Sequence, residues 1–129
     1  MLEVTVPPQL RLEVNPDHAR VGDLVVLTPT GPDADRSVSG VASMLQQDRA
    51  GQWIDLFYLV SNAQRWLVVD ETTARAPAFP AIGLMGPVTV VVPPVEPGEY
   101  RIRRDFSIRR EEGQRAIRIH GYADLFVVS

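Results

Sequence analysis

Pro97-Gly98-Glu99-Tyr100-Arg101-Ile102-Arg103-Arg104-Asp105-Phe106-Ser107-Ile108 reads as a turn that runs straight into an alternating strand. Pro97 and Gly98 punctuate the turn, and from Tyr100 onward the even positions are apolar and the odd ones polar, with Arg104 the single exception. A period of two is what a strand with one buried face requires. Gly98-x-Tyr100-x-Ile102 also has the spacing of a tyrosine corner, in which a Tyr near a strand start sends its hydroxyl back to upstream backbone.

The segment that follows supplies this strand with a partner. A hairpin closed around Glu112-Gly113 sets Ile108 against Ile117, Phe106 against Ile119, Ile102 against Ala123 and Tyr100 against Leu125, all on one side. On the other side Arg101 faces Asp124, Asp105 faces His120 and Ser107 faces Arg118. A slip of one residue would oppose apolar to charged side chains at nearly every pair, so the parity of the register is determined; a slip of two would preserve it. Arg104 falls on the buried side, opposite Gly121. The expectation there is a β-bulge, or an arginine whose stem crosses the glycine while its guanidinium reaches the sheet rim.

Outward from the hairpin, turn signals recur at short intervals, among them Asn15-Pro16-Asp17, Gly22-Asp23, Gly31-Pro32-Asp33, Ala50-Gly51, Ser61-Asn62, Gly86-Pro87 and Pro93-Pro94. Between them lie Val-, Ile- and Leu-rich runs, and no segment offers a helical period. This is the pattern of an all-β sandwich or barrel. Strands are expected at Leu2 to Val6, Leu10 to Val14, Leu24 to Thr28, Val38 to Gln46, Gln52 to Val60, Trp66 to Val69, Val88 to Val92, Glu99 to Ile108 and Arg115 to Val128. With 129 residues, the chain is read as one domain, 1–129, large enough to bury a core unaided.

Composition narrows the function classes. A hydrophobic fraction of 45% with 22% charged residues is that of a folded globule. No apolar run is long enough to span a bilayer, and 13 basic residues against 16 acidic ones lack the footprint that a phosphate backbone demands, so neither a membrane span nor nucleic acid is expected. Every basic residue is Arg, which removes lysine chemistry, and zero Cys removes disulfides, thiol nucleophiles and thiolate metal sites. Met1 to Pro8 carries neither a basic nor an apolar leader region, so the chain as given reads as cytoplasmic, or as extracellular or envelope-borne if a leader has been removed.

Few residue sets could carry chemistry. His18 and His120 are the only histidines, and no Gly-x-Ser-x-Gly elbow presents a nucleophile, so neither a catalytic set nor a cofactor is assigned. His120 and Asp105 are expected as a cross-strand surface pair. Asp33-Ala34-Asp35 offers two carboxylates to a hard cation but lacks the further ligands and the glycine of a calcium loop, and reads as a solvated turn. Trp53 and Trp66 are expected in core or half-buried packing. A partner contact is most plausible at two places: the outward Arg101, Arg103, Arg118 and His120 of the last two strands, and Phe79, Ile82, Leu84 and Met85 in the irregular 74–85 segment. The default alternatives are a solvated charged face and a cap over the open end of the core, respectively.

Gly22-Asp23, Asp48-Arg49-Ala50-Gly51-Gln52-Trp53 and Pro97-Gly98-Glu99-Tyr100-Arg101-Ile102 together resemble bacterial immunoglobulin-like domains of largely unassigned function, over roughly residues 10 to 128. The resemblance implies an immunoglobulin-like β-sandwich of about seven to nine antiparallel strands. Antibody domains carry a cysteine two residues after the corner tyrosine, whereas Ile102 stands here, so the sandwich is expected to hold without a disulfide. The sandwich pattern and the lack of a catalytic set lead to the expectation of a non-catalytic structural or protein-binding module, and strand edges without a Lys or central Pro leave homodimerisation open. Bacterial intracellular proteinase inhibitors are similar in size and fold, which makes inhibition of a protease the alternative, although no inhibitory loop motif is recognisable.

Overall fold

Gly98–Ile108 and Ile117–Val127 form the longest strands and pair antiparallel without interruption, Ile108 opposite Ile117 through Gly98 opposite Val127. Every cross-strand pair expected from the alternation is present. The computed structural model describes residues 8–70, 72 and 77–129. Among them the strands are β1 (Arg11–Asn15), β2 (His18–Ala19), β3 (Leu24–Thr30), β4 (Ser37–Ser39), β5 (Ala42–Arg49), β6 (Gln52–Val60), β7 (Arg65–Val68), β8 (Val88–Val91), β9 (Gly98–Ile108) and β10 (Ile117–Val127). The strand expected at Leu2 to Val6 lies outside the described residues.

The chain is all-β, apart from one turn of 3-10 helix at Ala34–Arg36. A smaller sheet has the order β1-β3-β8; a larger one runs β2-β10-β9-β5-β6-β7, with β4 also on β9. The larger sheet curls, bringing β1 beside β10 and β8 beside β6 and β7. Apolar side chains fill the space between the sheets: Leu12, Val25, Leu27 and Val90 from one, Leu45, Leu59, Ile102, Phe106 and Leu125 from the other. Alternation explains the membership, since each strand sends every second side chain inward.

Three departures from the expected strand pattern matter. Ten described strands exceed the seven to nine expected, and they are not all antiparallel, because β2 runs parallel to the end of β10, His18 against Phe126. Two residues are too few to show a period, so nothing in the sequence marks β2. The expected Val38 to Gln46 strand is two strands, β4 and β5, separated at Gly40 and Val41. β6 also carries an irregularity, for Leu45 pairs with Phe57 and Gln46 with Asp55, leaving Leu56 as an extra residue. Such a bulge reverses the facing of everything beyond it.

Arg104 explains the break between β4 and β5. The expected bulge is absent from β9, whose pairing with β10 is unbroken; the irregularity lies on its other neighbour, where Ser39 pairs with Phe106 and Met44 with Arg103, so Gly40 to Ser43 stand against only Arg104 and Asp105. A Cβ on Gly121 would meet Phe106 at 2.9 Å and Leu12 at 3.2 Å. Gly121 therefore makes room for the core, not for the arginine stem. Arg104 is 2% exposed and its guanidinium does not reach the rim; it donates to Ser43 Oγ at 2.7 Å, Ser61 Oγ at 3.0 Å and the Gly40 carbonyl at 2.8 Å. A carbonyl released by the broken ladder is thus satisfied by a side chain. Burial with no carboxylate in hydrogen-bond contact holds the Arg104 pKa down to about 10.

The corner that opens β9 is formed as expected, with the Tyr100 hydroxyl donating to the Glu96 carbonyl at 2.6 Å. Burial, and then the nearby Glu96 carboxylate, raises its pKa. β5 and β6 are joined by Ala50-Gly51, both at positive φ (53° and 85°), the geometry that a two-residue hairpin turn needs.

Candidate functional site

The outer face of the larger sheet gathers Trp53, Arg101, Arg103, Asp105, Arg118 and His120 from among the residues singled out from the sequence. From β10 across β9 and β5 to β6, register places Tyr122, Arg103, Met44 and Tyr58 in one row, and Asp124, Arg101, Gln46 and Asp55 in the next. The bulge at Leu56 turns Asp55 and Trp53 onto this face. An unbroken alternation from Tyr58 would instead have presented Leu56 and Ile54.

Arg101 is the centre of the arrangement. Its guanidinium carbon lies 3.8 Å from the centre of the Trp53 ring and 4.2 Å from that of Tyr122, so two aromatic rings grip one cation. Arg101 Nε donates to Gln46 Oε1 at 2.7 Å, and Gln46 Nε2 donates to Asp55 Oδ1 at 2.6 Å. Gln46 is buried beneath this array, whereas Trp53 (40%) and Tyr122 (45%) remain exposed. Trp53 is therefore exposed, where core or half-buried packing was expected. Trp66 is half-buried as expected, edge-on to Phe57 at 5.3 Å between ring centres and packed on the core. Asp124 is opposite Arg101 in register, but the guanidinium lies on the rings and makes no ion pair with it.

Further along the same face, Asp105 accepts from His120 Nδ1 and lies 3.4 Å from Arg103 Nε. The expected cross-strand pair is thus present, in a group of three. His120 and Asp105 side chains are both 58% exposed, and an ion pair so well solvated contributes less than about 1 kcal/mol. The His120 ring also approaches Tyr122, 6.3 Å between centres, which links this group to the Arg101 array.

The 77–85 segment forms a strap beside this face. Ser39 and Leu84 exchange two backbone hydrogen bonds, at 2.9 and 2.7 Å, which fastens the strap to β4. Gly83 passes so close to Val38 that a Cβ would lie 2.5 Å from Val38 Cγ1. Leu84 packs on the core and Phe79 leans on Tyr58, while Ile82 and Met85 are each 54% exposed. Of the four apolar residues, Leu84 thus caps the core, whereas Ile82 and Met85 face solvent. Arg109 reaches Met85 Sδ at 3.4 Å. Between the strap and the hairpin lies a cleft of about 730 Å³, lined by Ile82, Gly83, Ser107, Arg118 and His120 among others. Strap and hairpin are therefore two walls of one surface.

The other candidates are occupied by the chain itself. Asp33 Oδ2 accepts the Gln9 backbone N–H at 2.6 Å and Oδ1 accepts from Arg36. These two contacts, the Gln9 N–H first, hold the Asp33 pKa below the ordinary value. A guanidinium already stands where a cation would have to sit, which leaves Asp33-Ala34-Asp35 unsuited to calcium. His18 bonds Asp17 at 2.9 Å and stacks on Phe126 at 4.7 Å, so it closes the end of the sheet. No described helix is long and apolar enough to cross a membrane. No protein-family model matches the chain, and no curated protein does.

Proposed function

We propose that this chain is a non-catalytic immunoglobulin-like module that binds a protein partner through the outer face of its larger sheet. Two facing sheets, a short strand parallel to the last one, and a tyrosine hydroxyl returned to the backbone four residues upstream support the immunoglobulin-like reading. The observation that carries the binding reading is the Trp53–Arg101–Tyr122 stack. Trp, Tyr and Arg are the residue types that dominate the energetics of protein interfaces. Here the two rings are exposed around a half-buried Arg101, and all three are already ordered by one another and by Gln46, so little side-chain freedom remains to be lost on docking.

The inhibitor alternative needs a loop that projects into a protease cleft. The 77–85 strap instead lies against the sheet, held at Ser39, Tyr58 and Arg109. The His120–Asp105 pair lies open to water, which favours contact over acid–base chemistry.

Site-specific photo-crosslinking tests the reading. A photoreactive phenylalanine at Tyr122 is expected to give a discrete protein adduct in the native host extract, whereas the same group at Glu13, on the outer side of the smaller sheet, gives none. Adducts from Glu13 alone, or from neither position, would overturn it.

A further inference from the structure

We infer that one partner of the larger sheet's outer face is a second copy of this chain, docked face to face about a two-fold axis that crosses the strands at the Arg104–Gly121 row, which sets Arg118 of each copy over Asp124 of the other. This rests on the reading of that face as a contact surface. The argument for a second copy is the distribution of charge along the strands. At the hairpin end stand Arg118 and His120, and among the described residues no carboxylate lies within ion-pair distance of Arg118. Asp105, the carboxylate beside them, is already shared by His120 and Arg103.

The opposite end has the opposite sign. Asp124 and Glu99 project outward there from β10 and β9, and Asp48 does so from β5, paired with Trp53. Arg101, the cation among them, is clamped between its rings and turned toward Gln46. A two-fold across the strands reverses the strand direction of the partner, so the arginine end of each copy lies over the carboxylate end of the other. Isologous contacts need such self-complementarity, and every favourable pair is then made twice. Beside the axis Arg103 of each copy lies over Asp105 of the other, and His120 over Tyr122, where aligned sheets pack side chain to side chain.

Sedimentation equilibrium from about one to several hundred micromolar, with circular dichroism to verify folding, tests the inference. The parent chain is expected to approach twice its 14.3 kDa monomer mass. Arg118→Asp and Asp124→Arg each place like charges together twice, and each is expected to raise the dissociation constant at least about tenfold. The double variant Arg118→Asp/Asp124→Arg restores opposite charges and is expected to return to within about threefold of the parent. A chain that stays monomeric throughout, or a folded double variant that fails to recover, would overturn the inference. If that chain still forms a heterologous adduct from position 122, self-association alone has failed and the broader binding reading stands.

Discussion

Arg101 and Arg104 lie one short step apart on β9, yet they live in opposite environments. Arg101 sits outside, stacked between two exposed rings. Arg104 points inward, 2% exposed, with two hydroxyls and a carbonyl for company and its pKa lowered by burial to about 10. The parity of a strand separates the two, and it gives identical side chains different work. The inner arginine seals a gap in the sheet, where a cation is tolerated only because its donors are satisfied. The outer one orders a surface.

The largest expected effect is on the inner side. Arg104→Ala removes the donors that serve Ser43, Ser61 and Gly40 and leaves the break between β4 and β5 unsealed, which should cost about 4 kcal/mol in urea unfolding. A loss below about 1 kcal/mol would mean that the gap closes without the arginine. Across from it, Gly121→Ala would press a methyl group into Phe106 and Leu12, and should cost about 2 kcal/mol by the same measurement. That result would separate the two occupants of this row, since the glycine serves the core and not Arg104.

Smaller effects sharpen the contrast. Tyr100→Phe deletes the hydroxyl bond to Glu96 and should cost about 1 kcal/mol, with the β9–β10 register unchanged by nuclear Overhauser contacts. Asp33 offers the counter-case to Arg104, a charged group whose partners do include an ion of opposite sign. Because its folded-state pKa lies below the ordinary 3.8, its stabilisation is present above that value and lost as pH falls through the folded pKa. Asp33→Asn should therefore be less stable than the parent at neutral pH, with the difference shrinking in thermal melts below about pH 4. A difference independent of pH would assign Asp33 a steric role.

What was legible in the sequence follows the range of the interactions involved. The β9–β10 register and the Tyr100 corner depend on alternation and on a turn a few residues away, and both could be read directly. Arg104 could be recognised as anomalous but not explained, because its partners Ser43 and Ser61 are 61 and 43 residues distant. Trp53 was misplaced for a similar reason: one extra residue at Leu56 inverts the facing of the strand start, and no local signal marks it. The outer array therefore emerges only when β6, β5, β9 and β10 are assembled. Likewise the strap and the hairpin, far apart in sequence, become a single cleft only once Leu84 pairs with Ser39.

The most direct measurement replaces each arginine by glutamine and takes both variants through urea unfolding and sedimentation equilibrium. Arg101→Gln should stay within about 1 kcal/mol of the parent in stability while raising the dissociation constant of the dimer about tenfold. Arg104→Gln should lose several times more stability. If Arg101→Gln instead destabilises the fold as much as Arg104→Gln, or leaves both self-association and the adduct from position 122 unchanged, the division of β9 into a structural inner side and a binding outer side is wrong.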